Sequence, residues 1–341
     1  MHGLALEPDT PDKSFNPTSF SGKRDHGERT AVEIRCLGDA IVCPLVQDTD
    51  ASGGGFSCFP DERSLRMRRV TLSLTVTIMA LALASGVAVA QVVTCPTGAN
   101  GLCVGTNGND TLNGTIDPDD MRGLEGQDTL NAGAELDSLS GGRGNDVLKG
   151  EADNDGLSGD LGNDTMNGGP GDDEYRFANG WGNDRISDAT QGVSGERLTF
   201  SLVTQPVEMD LISNPSRPEA RSGANTVNFG SNVEVNSIDG SSAGDDIKGD
   251  DGPDSINGIQ GNDTVRGRAG VDGLMGMDGG DELFGGAGGD TLAGEKGADV
   301  IHADDGQPVD TISCGAGNDT VFFDQGDTLV GANACEDKRL Q

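Results

Sequence analysis

The chain has 341 residues, of which 55 are glycine, a formal net charge of -34 and only 4% aromatic residues. So few apolar groups against so much charge would leave an ordinary chain disordered, unless bound metal supplies the missing driving force for folding. Such an acidic surface repels nucleic acid and anionic membranes, and no basic run with interleaved aromatics offsets it.

Residues 1–66 carry neither a repeat nor an amphipathic period, and they hold Cys36, Cys43 and Cys58. Met67-Arg68-Arg69 then opens a segment built like a secretory signal peptide. It has a positive start, an apolar stretch from Val70 to Leu83, and the small-x-small site Ala88-Val89-Ala90. Residues 67–90 are therefore expected to be a cleaved signal, giving a mature start at Gln91 and a secreted, extracellular product. A membrane anchor over Val70 to Ala90 is the alternative, with Arg63, Arg66, Arg68 and Arg69 on its cytoplasmic flank. A signal peptide belongs at the start of a chain, so Met67 is the expected initiator and residues 1–66 a non-native upstream extension or a disordered one. Residues 91–341 hold 46 acids and 14 bases, a net of -32, so nearly all the negative charge belongs to the expected mature chain.

After a short cap, Gln91 to Val104, aspartate recurs every nine residues: Asp110, Asp119, Asp128, Asp137, Asp146, Asp155, Asp164 and Asp173. Phe177-Ala178 is inserted next, and Asp184 comes after an eleven-residue step. This first array is read as residues 91–187 with its cap. A second array, residues 240–341, repeats the interval at Asp245, Asp254, Asp263, Asp272, Asp281, Asp290 and Asp299, then takes an eleven-residue step to Asp310 and reaches Asp319. A fixed short period of this kind marks a solenoid. Between the arrays, residues 188–239 lose the period. Leu198, Phe200 and Leu202, then Val207, Met209 and Leu211, alternate as in half-buried strands, and two more strands are expected within Asn225 to Ile238.

Counting the aspartate as position six, position eight is large and apolar, and positions one, two and four are rich in glycine, as in Gly141-Gly142-Arg143-Gly144-Asn145-Asp146-Val147-Leu148-Lys149. Position four distinguishes two sides of the first array. It is glycine at Gly108, Gly126, Gly144 and Gly162, but Asp117, Glu135 and Asp153 on the other side, with glycine returning at Gly171. Aspartate accepts positive φ moderately and glutamate poorly, so this second file is expected to hold weaker sites. In the second array position four is glycine from Gly252 to Gly297, after Ala243.

These nonapeptides match G-G-x-G-x-D-x-U-x, and both arrays resemble the RTX, or hemolysin-type, calcium-binding repeat family. The resemblance implies an all-β fold, a parallel β-roll in which six residues make a turn, three make a short strand, and two repeats complete one coil. It also implies multiple Ca2+ ions held by the eighteen aspartates named above. Position eight would then line two inner walls: Leu112, Leu130, Leu148 and Met166 on one, Met121, Leu139, Leu157 and Tyr175 on the other. Carboxylates on successive coils would stand about 4.8 Å apart and repel by about 0.9 kcal/mol even in water. Calcium, which accepts six to eight oxygens in flexible geometry, suits such a file better than octahedral magnesium. The alternative is a metal-free solenoid whose aspartates close Asx-turns.

Cys95, Cys103, Cys314 and Cys335 allow three pairings. Because the pairs flank opposite ends of a long solenoid, Cys95–Cys103 and Cys314–Cys335 are expected, each stapling a cap. The mature chain has one histidine, His302, and no G-x-S-x-G, so histidine-based zinc or serine triad chemistry is excluded and no catalytic residue is assigned. His302 reads as an exposed strand end. Tyr175 and Trp181 read as capping residues of the first array, with a sugar-stacking platform as the alternative. Together these features describe an exported, non-catalytic calcium-binding protein; the alternative is a calcium-dependent adhesin or matrix component that uses the roll as scaffold. A threonine ladder for ice binding is confined to Thr111, Thr129 and Thr165 on one side, which argues against that role.

Overall fold

A computed structural model describes residues 31–36, 39–44, 89–97, 101–187, 195–212, 219–230, 233–306, 309–331 and 335–340. The chain divides into two units, Met1–Ala84 and Ser85–Gln341. In the first, strands Ala31–Cys36 and Asp39–Pro44 pair antiparallel. The remainder of residues 1–66 and all but the last two residues of the expected signal segment lie outside the described residues. No described helix is long and apolar enough to cross a membrane.

The second unit is an all-β solenoid of about 13 turns. Each repeat contributes one strand, and each strand pairs parallel with the strand two repeats on, so odd and even repeats build two separate sheets of 15 and 12 strands. The register advances by two repeats: Leu112 faces Leu130, Leu130 faces Leu148, and Leu148 faces Met166. Period-two alternation in each strand turns positions six and eight inward and seven and nine outward. All eight expected wall residues, from Leu112 to Tyr175, are buried. The aspartates are buried beside them, from Asp110 at 2% exposed to Asp319 at 1%. A parallel roll thus spends half of its inward-facing strand positions on carboxylates.

Both sheets continue through residues 188–239. Strand Glu196–Leu202 pairs parallel with Glu174–Ala178 on one side and Val235–Asp239 on the other, and the latter pairs with Ser255–Asn257. In the other sheet, Asn183–Ile186 pairs parallel with Asn225–Phe229. Two antiparallel steps, through Ala220–Ser222 and Glu208–Asp210, then lead to Asp246–Lys248. The segment expected to be a separating spacer therefore changes the sequence pattern and the direction of one strand without ending either sheet. Leu198, Phe200, Val207, Met209 and Leu211 are buried as their alternation requires, but Leu202 is 67% exposed. A register shift between Arg176 and Ala178 turns the end of its strand outward.

Trp181 and Tyr175 are buried at the end of the first array, 1% and 0% exposed, which is compatible with capping residues and removes the sugar-stacking alternative. Phe177 stacks on Phe200 with centroids 4.8 Å apart, and Trp181 tilts against both rings. The eleven-residue step makes room for this aromatic cluster, which fills the point where the nonapeptide pattern stops. At the ends of the roll, disulfides join Cys95 to Cys103 and Cys314 to Cys335, with Cα separations of 5.1 and 5.4 Å. Each ties one sheet to the other.

Candidate metal centre

The eighteen aspartates fall at one equivalent place, the first inward position of each strand. The backbone N–H of most of them donates to Oδ1 of the aspartate one coil further along: Asp110 to Asp128, Asp128 to Asp146 and Asp146 to Asp164, each at 2.7 Å. The same link runs from Asp119 through Asp137 and Asp155 to Asp173. In the second array it joins Asp245, Asp263, Asp281, Asp299 and Asp319 in one file. Asp254, Asp272, Asp290 and Asp310 form the other. Thus each carboxylate from Asp128 to Asp184 and from Asp263 to Asp319 has one oxygen tied to its neighbour's backbone, which fixes the side chain and aims the second oxygen.

That second oxygen is buried without a hydrogen-bond partner in Asp128, Asp137, Asp146, Asp155, Asp164 and Asp184, and again in Asp263, Asp272, Asp281, Asp290, Asp299 and Asp319. In the repeats with glycine at position one, such as those of Asp128 and Asp146, it points at that glycine and the carbonyl of the next coil. A Cβ placed on Gly141 would lie 2.5 Å from Asp146 Oδ2 and 2.9 Å from the Gly159 carbonyl. Position one is glycine because the space that a side chain would fill is held by oxygens.

Position four is glycine for a related reason. At Gly126 and Gly144 φ is 142°, a conformation closed to L-residues with a Cβ, and a Cβ on Gly126 would sit 2.6 Å from the Gly108 carbonyl. Glu135 and Asp153 reach the turn differently, at φ 71° and 75°. The side of the first array expected to be weaker thus carries left-handed strain at position four, while Asp137 and Asp155 keep the same inward carboxylate as the other side.

Stacked, desolvated carboxylates resist ionisation. Burial, reinforced by the charge of Asp137, pushes Asp155 up to about 7. Burial acts with the charge of Asp146 to push Asp164 to about 7, and with that of Asp164 to push Asp184 to about 8. In the second array burial and neighbouring aspartates likewise raise Asp263 and Asp310 to about 7. A buried oxygen without a donor, a carboxyl that resists its charge, and a glycine-lined space containing carbonyls fit a hard, oxygen-seeking cation. Among the described residues no three acidic, histidine or cysteine side chains converge on a point, so backbone carbonyls must supply the remaining oxygens.

Sequence reasoning missed three residues that extend the files. Asp173 donates its N–H to Glu196 Oε2 at 2.9 Å, Asp310 to Asp327 Oδ1 at 3.1 Å, and Asp319 to Glu336 Oε2 at 2.9 Å. Glu196-Arg197-Leu198 and Asp327-Thr328-Leu329 keep the acid-x-apolar signature, but at spacings other than nine. Position two was also missed. It is left-handed at Leu124, Glu151, Asp160, Ile259, Arg268, Met277 and Glu295, with φ between 67° and 85°, although none of these is a glycine.

A family profile for the RTX calcium-binding nonapeptide repeat, four copies in length, matches residues 104–139, 132–166, 140–175, 239–274, 275–308 and 310–330. The matched segments coincide with the coils that carry the aspartate files. No curated protein matches the chain.

Proposed function

The chain is a member of the RTX calcium-binding nonapeptide repeat family, and we propose on that footing that it is an exported, non-catalytic protein whose roll forms when calcium fills the aspartate files. The reading rests on one observation: a row of buried carboxylate oxygens, Asp128, Asp146 and Asp164 among them, that have no donor. The aspartates from Asp128 to Asp184 and from Asp263 to Asp319 would hold the ions, together with carbonyls of the glycine turns. Bound calcium supplies positive charge between like-charged coils. The chain supplies the rest: N–H groups that orient each carboxylate, glycines that leave the space open, and position-eight residues that close the core. At a hundredfold excess over its dissociation constant a single site contributes about 2.7 kcal/mol, so several sites together rival the stability of an ordinary domain.

Export is supported by the signal-like segment ending at Ala90 and by two cystines, which persist in oxidising compartments. Far-ultraviolet circular dichroism of residues 91–341 tests the reading. Calcium should convert a largely disordered chain into a β-rich one, with magnesium a poor substitute; a full β spectrum in chelator at neutral pH refutes it.

A stacked ring ladder favours a calcium-dependent adhesin as a second reading. Across the outer face of the second array, Phe284, His302 and Phe322 stack with centroids 4.4 and 4.7 Å apart, flanked by the guanidinia of Arg266 and Arg339. His302 is thereby held between two rings, which corrects its reading as an exposed strand end. Loss of a calcium-dependent surface contact in a Phe284→Ser, Phe322→Ser variant that still binds calcium would support this role, and unchanged adhesion would remove it.

A further inference from the structure

Four aspartates depart from the pattern of the files, and they are the first two of each array. Thr115 donates its N–H to Asp119 Oδ2 at 2.8 Å and its hydroxyl to the same oxygen at 3.1 Å. Thr106 does the same to Asp110 Oδ2, the hydroxyl at 2.8 Å. In the second array Ser241 N–H reaches Asp245 Oδ2 at 2.6 Å, and Asp250 N–H reaches Asp254 Oδ2 at 2.9 Å. The position-two side chain then accepts the N–H of position four: Gly108 on Thr106, Asp117 on Thr115, Ala243 on Ser241 and Gly252 on Asp250. These loops close on themselves as two interlocked side-chain turns.

In later repeats position two is different. Leu124, Gly133, Gly142, Glu151, Asp160 and Gly169 all have positive φ, as do Ile259, Arg268, Met277, Gly286 and Glu295. There positions two and three pair with the next coil, as Leu124 with Gly142 and Met277 with Glu295, and the N–H no longer reaches the aspartate. The side-chain chemistry matches the backbone: threonine, serine and aspartate at the four leading positions, residues without a local capping preference at most of the others. A second observation marks Asp254. The Arg268 guanidinium donates to the carbonyl of Gly249, the position-one residue of the same repeat, and to Asp210 at 2.8 Å. A fixed protein cation thus stands beside this aspartate and takes the carbonyl that an ion would need.

We propose that Asp110, Asp119, Asp245 and Asp254 hold no calcium through Oδ2 and are metal-independent end caps from which the four ion files begin. The first loop of a stack has no loop beneath it and must satisfy its own polar groups, as the terminal repeats of solenoids do. Asp119 and Asp254 each retain one open oxygen, Oδ1, but Asp119 Oδ1 faces a coil where Gly101 stands in place of an aspartate. The recurrence of the caps at Ser241 and Asp250 shows that the loop stacks start afresh after residue 239, although both sheets run through.

This inference rests on the calcium reading for its ion count but not for the caps themselves, so two measurements on the full chain separate them. Native mass spectrometry should give the same number of bound calcium ions for the unaltered chain and Asp245→Asn, and a lower number for Asp281→Asn. A loss of calcium in Asp245→Asn overturns the proposal. Amide hydrogen exchange in saturating calcium, where the roll is folded, should protect Thr115 and Ser241 about tenfold more than Leu124 and Met277, the weight of a charge-assisted hydrogen bond. That excess should vanish at Ser241 in Asp245→Asn. Equal protection at all four amides overturns the caps whatever the calcium count, whereas an unaltered chain that binds no calcium but shows the excess refutes only the ion reading.

Discussion

The backbone N–H of Asp146 donates to Oδ1 of Asp164 at 2.7 Å, and Asp164 Oδ2 is left buried with no donor. One hydrogen bond therefore does two things: it sets the register of adjacent coils and turns a bare oxygen toward the glycine-lined space. Without a cation the arrangement is costly, because a buried acceptor lacking a partner forfeits about 1–3 kcal/mol.

Asp164→Asn should consequently act in opposite directions with and without calcium. In chelator it removes a charge from the file and should raise the stability of whatever β structure persists. In calcium it removes a charged ligand and should lower affinity about tenfold or more, given that a hydrogen bond or ligand contact to a charge is worth roughly 1.5–3 kcal/mol. Calcium titrations followed by circular dichroism, with and without the substitution, measure both signs. A variant that is weakened equally in both conditions would show that Asp164 acts only through packing.

Protons should partly replace calcium. The carboxyls of Asp155, Asp164, Asp263 and Asp310 are pushed up to about 7, and Asp184 to about 8, by burial and then by their neighbours, against about 3.9 in an unfolded chain. The folded, metal-free roll thus binds more protons than the unfolded chain between those values, so its stability falls as pH rises. This contribution is fully present below about pH 4 and is lost as pH climbs through 7 to 8. A chelated sample should gain β signal on acidification from pH 8 to 5, and calcium binding near pH 6.5 should release protons. Isothermal titration in buffers of different ionisation enthalpy detects the release; a chelated chain equally disordered at both pH values argues against the buried files.

Position four sets how well each loop tolerates stacking. Gly144→Ala would drive a Cβ into the Gly126 carbonyl at φ 142° and should cost at least about 2 kcal/mol. Glu135→Gly relieves a left-handed glutamate at φ 71° and should gain about 1 kcal/mol. On the same reasoning Asp272→Ala or Asp281→Ala should raise the calcium midpoint more than Asp137→Ala, whose loop already carries strain at Glu135. Calcium midpoints of the variants decide this; a neutral Gly144→Ala would mean that the loops are not stacked as described.

The period of the aspartates made a solenoid legible from residues alone; the parallel roll and its two walls followed from the resemblance to the calcium-binding repeat family, and the terminal cystines from the place of the four cysteines at opposite ends of the arrays. Three things were hidden. Glu196, Asp327 and Glu336 extend the files through hydrogen bonds across irregular spacings, which no fixed period reports. The positive φ at position two is borne by Leu124 and Met277 as readily as by glycine, because stacking on the next coil imposes it. And the strands Glu196–Leu202 and Val235–Asp239 join the arrays by backbone pairing, which leaves no periodic trace when their side chains keep an ordinary alternation.

That backbone continuity changes what should happen when the chain is cut. A loss of period at 188–239 predicts two independent folding units, residues 91–187 and 240–341. Yet Asn183–Ile186 pairs with Asn225–Phe229, Glu174–Ala178 with Glu196–Leu202, and Val235–Asp239 with Ser255–Asn257. The cut at 187 also strips Phe200 from Phe177 and Trp181, which it contacts at 4.8 and 5.5 Å between ring centroids. The nine-residue aspartate series does stop and restart here, with Ser241 closing its loop on Asp245. Calcium binding should therefore be local to each array while mechanical and thermal stability are shared through the sheets. Phe200→Ala, a buried aromatic truncation worth about 3–5 kcal/mol, should lower the unfolding temperature of the calcium-loaded full chain while leaving the calcium midpoint of the second array near its original value. Fragment 91–187 should need more calcium to fold than the first array does within the intact chain, and fragment 91–239 should recover most of the difference. Identical midpoints for both fragments and the intact chain would show that the middle segment contributes no cooperativity.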